Sequence, residues 1–238
     1  MLACVAAFDG SLPRARHRSV LPSMRRPLHA LGTVLLAVGV LALAWSLIVW
    51  RWQDPVTGLY TAYEQHRLSG RLAALVAAES RPPSTPEGIR AAARRFRLAA
   101  KPGRPIGRIA IPRLGISFVV VEGTDSASLR LGPGRDARSF MPGEGNLVYI
   151  AGHRTTFLAP FSHIDELRRG DRITLTMPYG TFVYVVSGHT IVAANDLRVL
   201  RPRSSELLAL QACHPRFFAT HRYIVWARLL RVIMRPRT

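Results

Sequence analysis

Three residues in this 238-residue chain, Cys213, His153 and Arg222, stand where short β-rich runs begin or end, and their types suit one chemistry. A cysteine attacks only as its thiolate, so it needs a base nearby or a lowered pKa. A histidine can carry protons between such a thiol and a departing amine. A cation or preorganised donors must then hold the oxyanion of the tetrahedral intermediate. Together they could run acyl transfer through a thioester, if the fold brings them to one place.

Cys213 ends the run ELLALQAC, is followed by HPRFF, and the next run opens at Arg222-Tyr223. A strand end, a loop of eight residues and an adjacent strand start would set Cys213 and Arg222 side by side at one rim. His153 ends the run NLVYIAGH, which also predicts a rim position. The remaining histidines fit the role less well. His17, His29 and His66 fall in a tail, anchor or stalk, and His163 and His189 read as polar surface or core. His214 should face away from Cys213, because successive strand residues point to opposite sides. His221, in the loop between Cys213 and Arg222, is the reserve base. Asp165 could orient His153, although a role on a helix surface fits it better. No spacing of His, Cys, Asp and Glu suggests a metal site, and no cofactor is implied.

The elements that must position these residues lie between Ile106 and about 233. GRIAIPRL, SFVVVEG, NLVYIAG, DRITLTM, GTFVYVVSG, ELLALQAC and YIVWARLLRV are β-rich runs separated by Gly, Pro and Asp turns. FSHIDELR predicts a short helix over about 161–168. Seven or more short strands in so short a stretch predict an all-β fold, a small closed barrel or sandwich.

Upstream, residues 30–50 read ALGTVLLAVGVLALAWSLIVW without a charge. At helical rise that is about 30 Å, a bilayer's hydrocarbon thickness. Trp45, Trp50 and Trp52 gather where an aromatic belt would lie. Arg14, Arg16, Arg18, Arg25 and Arg26 precede the span against the single acid Asp9, so the positive-inside rule makes 1–29 a basic cytoplasmic tail and places the rest outside. An uncleaved anchor fits better than a signal peptide, since the run is long and no small-residue cleavage site follows. Met24 directly precedes the basic flank, so residues 1–23 read as an upstream extension. Residues 51–105 predict a helical linker outside the membrane. An amphipathic helix over 59–79 is broken by RPPSTPEG, and Thr85-Pro86 caps a second helix to about Leu98. Both read as a spacer that packs on the domain, Asp54-Pro55 as the end of the membrane helix, and 234–238 as a C-terminal tail.

The formal net charge is +19 and Lys101 is the only lysine. Such a balance suits an anionic membrane or wall surface, or an arginine-rich composition spread over solvated faces. The arginines are scattered without interleaved aromatics, which argues against nucleic acid. Two cysteines, Cys4 and Cys213, do not make a disulfide framework, and the expected topology keeps them on opposite sides of the membrane.

Several blocks carry a family resemblance: VVVEGTDSASLRLGPG, GNLVYIAGHRTTFLAPF, LRRGDRITL, and LLALQACHP with RYIVWARL after it. In this order they resemble the sortase family, most nearly its actinobacterial class E, over about residues 106–233. The resemblance implies an eight-stranded sortase β-barrel and a Cys-His-Arg trio, with Cys213 as nucleophile, His153 as general acid/base and Arg222 positioning substrate and oxyanion. It also implies the partners: secreted proteins with a C-terminal LPXTG-like or LAXTG-like sorting signal, cut between Thr and Gly, and an amine acceptor of the cell wall. One departure stands out. The family's cysteine strand usually reads Thr-Leu-x-Thr-Cys, whereas here Ala209 and Ala212 replace both threonines; the second is a candidate for substrate contact. Asp54-Pro55 is similar to the lid motif of pilin-building members. Two rival readings remain. An L,D-transpeptidase would show a Ser-His-Gly-Cys block, which Gln211-Ala212-Cys213-His214 does not match. A catalytically silent, membrane-tethered scaffold that binds sorting signals would not need the intact trio.

Overall fold

The structure, a computed structural model, describes residues 25–52, 55–79 and 82–234. Cys4, Asp9, His17, Met24 and Asp54 lie outside the described residues. The chain forms two units, Met1–Leu47 and Ile48–Thr238.

The apolar run folds as helix α1, Arg25–Trp52. Its stretch Pro27–Leu47 is long and apolar enough to cross a membrane, and its side chains are exposed rather than packed in a core. The hydroxyls of Thr33 and Ser46 donate to the carbonyls of His29 and Ala42 one turn back, at 2.9 and 2.8 Å. Neither hydroxyl then needs a partner from lipid.

The second unit is a closed barrel of eight strands: β1 (Pro105–Ile111), β2 (Ile116–Glu122), β3 (Gly134–Arg135), β4 (Leu147–Ala151), β5 (Arg172–Met177), β6 (Gly180–Ala193), β7 (Leu207–His214) and β8 (His221–Ile233). Around the barrel the order is β1-β2-β3-β4-β7-β8-β6-β5. The pairs β2–β3 and β4–β7 are parallel and the others antiparallel. Alternation divides each strand between two environments. Val148, Ile150, Leu208, Leu210, Ala212, Tyr223 and Val225 join Phe182 and Tyr184 in the interior. Leu147, Tyr149, Ala209 and Ile224 form a separate cluster on the outer wall, under Val199 and Leu200 of the β6–β7 connection.

Seven strands match the seven runs. The eighth, β3, has two residues and no periodicity to read. It is admitted because position 134 is glycine, where a Cβ would fall on the Gly123 carbonyl oxygen. It is locked by Arg135, which forms a buried two-point pair with Glu122 at 2.9 and 2.6 Å.

Helix α2 (Pro55–Ala78) opens with a proline, whose missing N–H costs nothing at a helix start. It sets Leu68 and Leu72 on Val119 and Val121 of β2. Gln65 accepts from the Val119 N–H at 2.7 Å and donates to the Val119 and Leu131 carbonyls at 3.0 and 2.8 Å. Helix α3 (Pro86–Ala99) is capped by the Thr85 hydroxyl, which accepts from the Gly88 N–H. Its Ile89, Ala92 and Ala93 enter the main core.

Two expectations are corrected. The 161–168 segment is no helix but a single 3₁₀ turn, Ile164–Glu166. Phe161, Ile164 and Leu167 are all buried, and a repeat of three fits 3₁₀ geometry better than 3.6. The connection from β7 to β8 has six residues, 215–220, because both strands run one residue further than expected.

Candidate active site

Register brings the three expected residues together. Cys213 and Arg222 are direct partners across the β7–β8 ladder. In the parallel β4–β7 pair, Ala151 stands beside Gln211, and the Gly152 N–H donates to the Gln211 carbonyl at 3.0 Å. Two residues further along each chain come His153 and Cys213. All three line one groove of about 290 Å³ on the outer wall, together with Tyr149, Gln211 and Leu197. A larger cleft of about 630 Å³ lies elsewhere, between α2, α3 and the start of β1. Its lining includes Leu75, Phe96, Ile106 and the cations Arg71, Lys101 and Arg104, but no cysteine, histidine or carboxylate, so size does not identify the Cys-His site.

Cys213 is half-buried and is the one free cysteine among the described residues. Arg222 donates from Nη1 to the carbonyls of Ala219 and His221 at 2.7 and 2.9 Å. Both bonds use one nitrogen, which leaves the other donors of the fork for a ligand. His153 lies past the end of β4 with its ring against Phe157, centroids 5.1 Å apart. Burial, and then the positive charge of Arg130, hold its pKa below the ordinary 6.5. The imidazole is therefore neutral at pH 7, the form that can accept a proton.

The other candidates fall away from the groove. Asp165 pairs with Arg154 at 2.8 Å, so it does not orient His153. The His214 ring lies 3.2 Å from Arg154 Nη1 and does not line the groove, as alternation predicts. His221 is the register partner of His214 and is likewise no part of the lining, so the reserve base has no place there. His163 pairs with Glu166, and His189 stacks on Tyr223. Ala212 is fully buried inside the barrel, so that position cannot contact a ligand in the groove. Ala209 is covered by the outer-wall cluster.

Several groove residues escaped the sequence reading. The Tyr149 hydroxyl donates to Gln211 Oε1 at 2.6 Å, and burial pushes the phenol well above its usual pKa, so it stays protonated. Stepping back by twos from Cys213 and from His153 along their strands would have found Gln211 and Tyr149. Asp136 also lines the groove. Burial would raise its pKa, but hydrogen bonds from Arg138 outweigh that and hold the carboxylate below its usual range. Nothing in the sequence pattern pointed to this pair. Among the described residues no cluster of His, Cys, Asp and Glu could hold a metal ion.

Comparison with known proteins bears on the family of the chain. The sortase domain family model matches residues 109–230. Sortase D of Bacillus subtilis is 32% identical over 130 residues, covering 53% of this chain and 64% of the relative. Sortase SrtE1 of Streptomyces coelicolor is 30% identical over 155 residues, covering 58% and 43% respectively. The chain thus spans less than two thirds of either relative. The solved structure of sortase E from Streptomyces avermitilis superposes with a TM-score of 0.51 at 31% identity, covering 56% of this chain and 93% of that one.

Proposed function

This chain belongs to the sortase family, and from that premise we propose that it is a membrane-anchored cysteine transpeptidase acting through Cys213, His153 and Arg222. The observation that carries the reading is the register pairing of Cys213 with Arg222 in a groove that His153 also lines.

Neutral His153 takes the Cys213 proton, and Sγ attacks a peptide carbonyl carbon. The negative charge that develops on the carbonyl oxygen is met by the Arg222 guanidinium, already held at one nitrogen by two backbone carbonyls. The C–N bond breaks, the amine leaves with the proton from His153, and an acyl thioester remains on Cys213. An incoming amine attacks the thioester, gives up its proton to His153, and the C–S bond breaks to restore the thiol. Family membership supports a secreted protein's C-terminal sorting signal of the LPXTG or LAXTG type as acyl donor, and a cell-wall amine as acceptor. The SrtE1 and sortase E relatives favour class E. The apolar helix, with arginines ahead of it, supports a single-pass anchor with the N-terminus in the cytoplasm and the barrel outside.

The test is turnover by the full chain in detergent micelles, using LPXTG and LAXTG peptides with a glycine-initiated peptide as acceptor. Cleavage between Thr and Gly with joining to the acceptor is expected, and Cys213→Ala and His153→Ala should each lose ~10³-fold or more. Binding of the peptides without turnover would identify a scaffold instead.

A further inference from the structure

Behind the groove, on the other side of the same backbone, lies a second trio. Each of the three groove residues is followed in the chain by a residue that does not line the groove: Arg154 after His153 in the loop, and His214 after Cys213 and Tyr223 after Arg222, which strand alternation turns to the reverse face. These three meet. Arg154 Nη1 donates to the Cys213 carbonyl at 3.2 Å and lies 3.2 Å from His214 Nδ1. The Arg154 guanidinium stands over the Tyr223 ring, 5.8 Å from its centroid, and the His214 ring is 5.9 Å from the same ring. Nη2 pairs with Asp165 at 2.8 Å. Arg154 is only 5% exposed.

We propose that Arg154 is a positioning residue for the Cys213 site: one buried guanidinium that fixes the His153 loop, the end of β7 and the start of β8 relative to each other. The inference rests on the transpeptidase reading for its kinetic consequence, though not for its geometry. His153 lies beyond the last β4–β7 ladder pair, Ala151–Gln211, so the ladder itself does not fix its distance from Cys213. The Gly152–Gln211 bond and Arg154 are what span that gap. Arginine suits the task because its planar fork reaches several acceptors at once and keeps its charge when buried. A lysine, with all its donors on one nitrogen, would not reach the partners that Arg154 holds from Nη1 and Nη2 separately. Asp165 completes the cluster by balancing the charge, and being half-exposed it can be altered without opening the core.

The experiment compares the wild-type full chain in detergent with Arg154→Lys, Arg154→Gln and Asp165→Asn, using His153→Ala as reference. Two readouts are taken: steady-state transfer on a sorting-signal peptide, and the pH profile of Cys213 alkylation by iodoacetamide. For Arg154→Lys we expect kcat to fall about 30-fold to 100-fold with KM within about threefold, since ångström-scale misplacement costs on that order. Its alkylation profile should move toward that of His153→Ala, because the His153 loop and the end of β7 are no longer fixed relative to each other. Arg154→Gln should fall further, and Asp165→Asn by less than about fivefold, with the order Asn, Lys, Gln preserved in both readouts. Circular dichroism and thermal unfolding identify which variants remain folded. A folded Arg154→Lys or Arg154→Gln with wild-type kcat and an unchanged alkylation profile overturns the proposal. So does a loss of activity that disappears at a lower temperature where the variant is fully folded. If the wild type alkylates at Cys213 yet transfers no peptide, the transpeptidase reading fails, and the alkylation profiles alone decide the role of Arg154.

Discussion

Replacing Arg135 with methionine tests how the two-residue strand β3 is held in the barrel. Arg135 and Glu122 are almost wholly buried, with side chains 2% and 5% exposed. Arg135 gives Glu122 two hydrogen bonds and the carbonyls of Asp136 and Ser139 one each from Nη1. Methionine fills much of the same length but donates nothing, which leaves a carboxyl and two carbonyls without that partner. Breaking a buried pair from one side costs about 3–5 kcal/mol when the remaining charge must stay ionised. The Glu122 carboxyl already lies above its ordinary 4.5, because burial outweighs the charge and hydrogen bonds of Arg135 that hold it down. A raised carboxyl contributes stability that is present below pH 4.5 and lost as pH rises through the folded value. Removing Arg135 takes away the lowering influences, so the folded value climbs and the window of loss widens upward. The penalty for Arg135→Met should therefore be about 1–2 kcal/mol at pH 5, where the carboxyl can protonate, and about 3–5 kcal/mol at pH 8. Pulse proteolysis of the full chain in urea reads this directly: at pH 8 the midpoint should drop by roughly 2 M for a slope near 2 kcal/mol/M. The double variant Glu122→Met with Arg135→Met should recover most of the loss and its pH dependence. An equal penalty at both pH values, or a double variant worse than the single one, would refute the reasoning.

Arg130→Gln removes the cation that lowers His153, so the acid limb of kcat/KM, where rate is lost as pH falls and His153 protonates, should move up toward pH 6.5; a pH–rate profile checks it. Ala212→Thr adds a methyl and a hydroxyl to a closed interior. It should destabilise by about 1–3 kcal/mol in urea unfolding while leaving peptide KM unchanged, since the position does not reach the groove. Ile89→Ala should cost about 2–5 kcal/mol, because α3 docks into the main core through a residue only 3% exposed; an unchanged unfolding midpoint would mean that α3 is a dispensable spacer.

The barrel was legible where physics repeats itself. The short β-rich runs NLVYIAG and ELLALQAC, set off by turn residues, marked β4 and β7, and the Thr85-Pro86 cap marked α3, because these signals are local. Strand β3 was invisible: Gly134 fits beside the Gly123 carbonyl, 11 residues upstream, only because it lacks a Cβ, and Arg135 is held by the carboxylate of Glu122. The 161–168 segment misled because a repeat of three and one of 3.6 cannot be told apart over eight residues. At the groove, Cys213, His153 and Arg222 were found from residue type and rim position. Tyr149 and Gln211 were missed although alternation pointed to them, because a tyrosine and a glutamine within a strand carry no chemical flag. Arg154 was one arginine among 32, and only its contacts with Cys213, His214, Tyr223 and Asp165 distinguish it.

Mass spectrometry of the full chain after brief exposure to an LAXTG or LPXTG peptide, with no amine acceptor present, tests the thioester on Cys213 most directly. The expected result is a mass increase equal to the peptide's acyl fragment ending at threonine. It should map to Cys213, be removed by hydroxylamine, and be absent in Cys213→Ala. A wild-type thiol that reacts with iodoacetamide but acquires no acyl mass from either peptide would contradict the assignment.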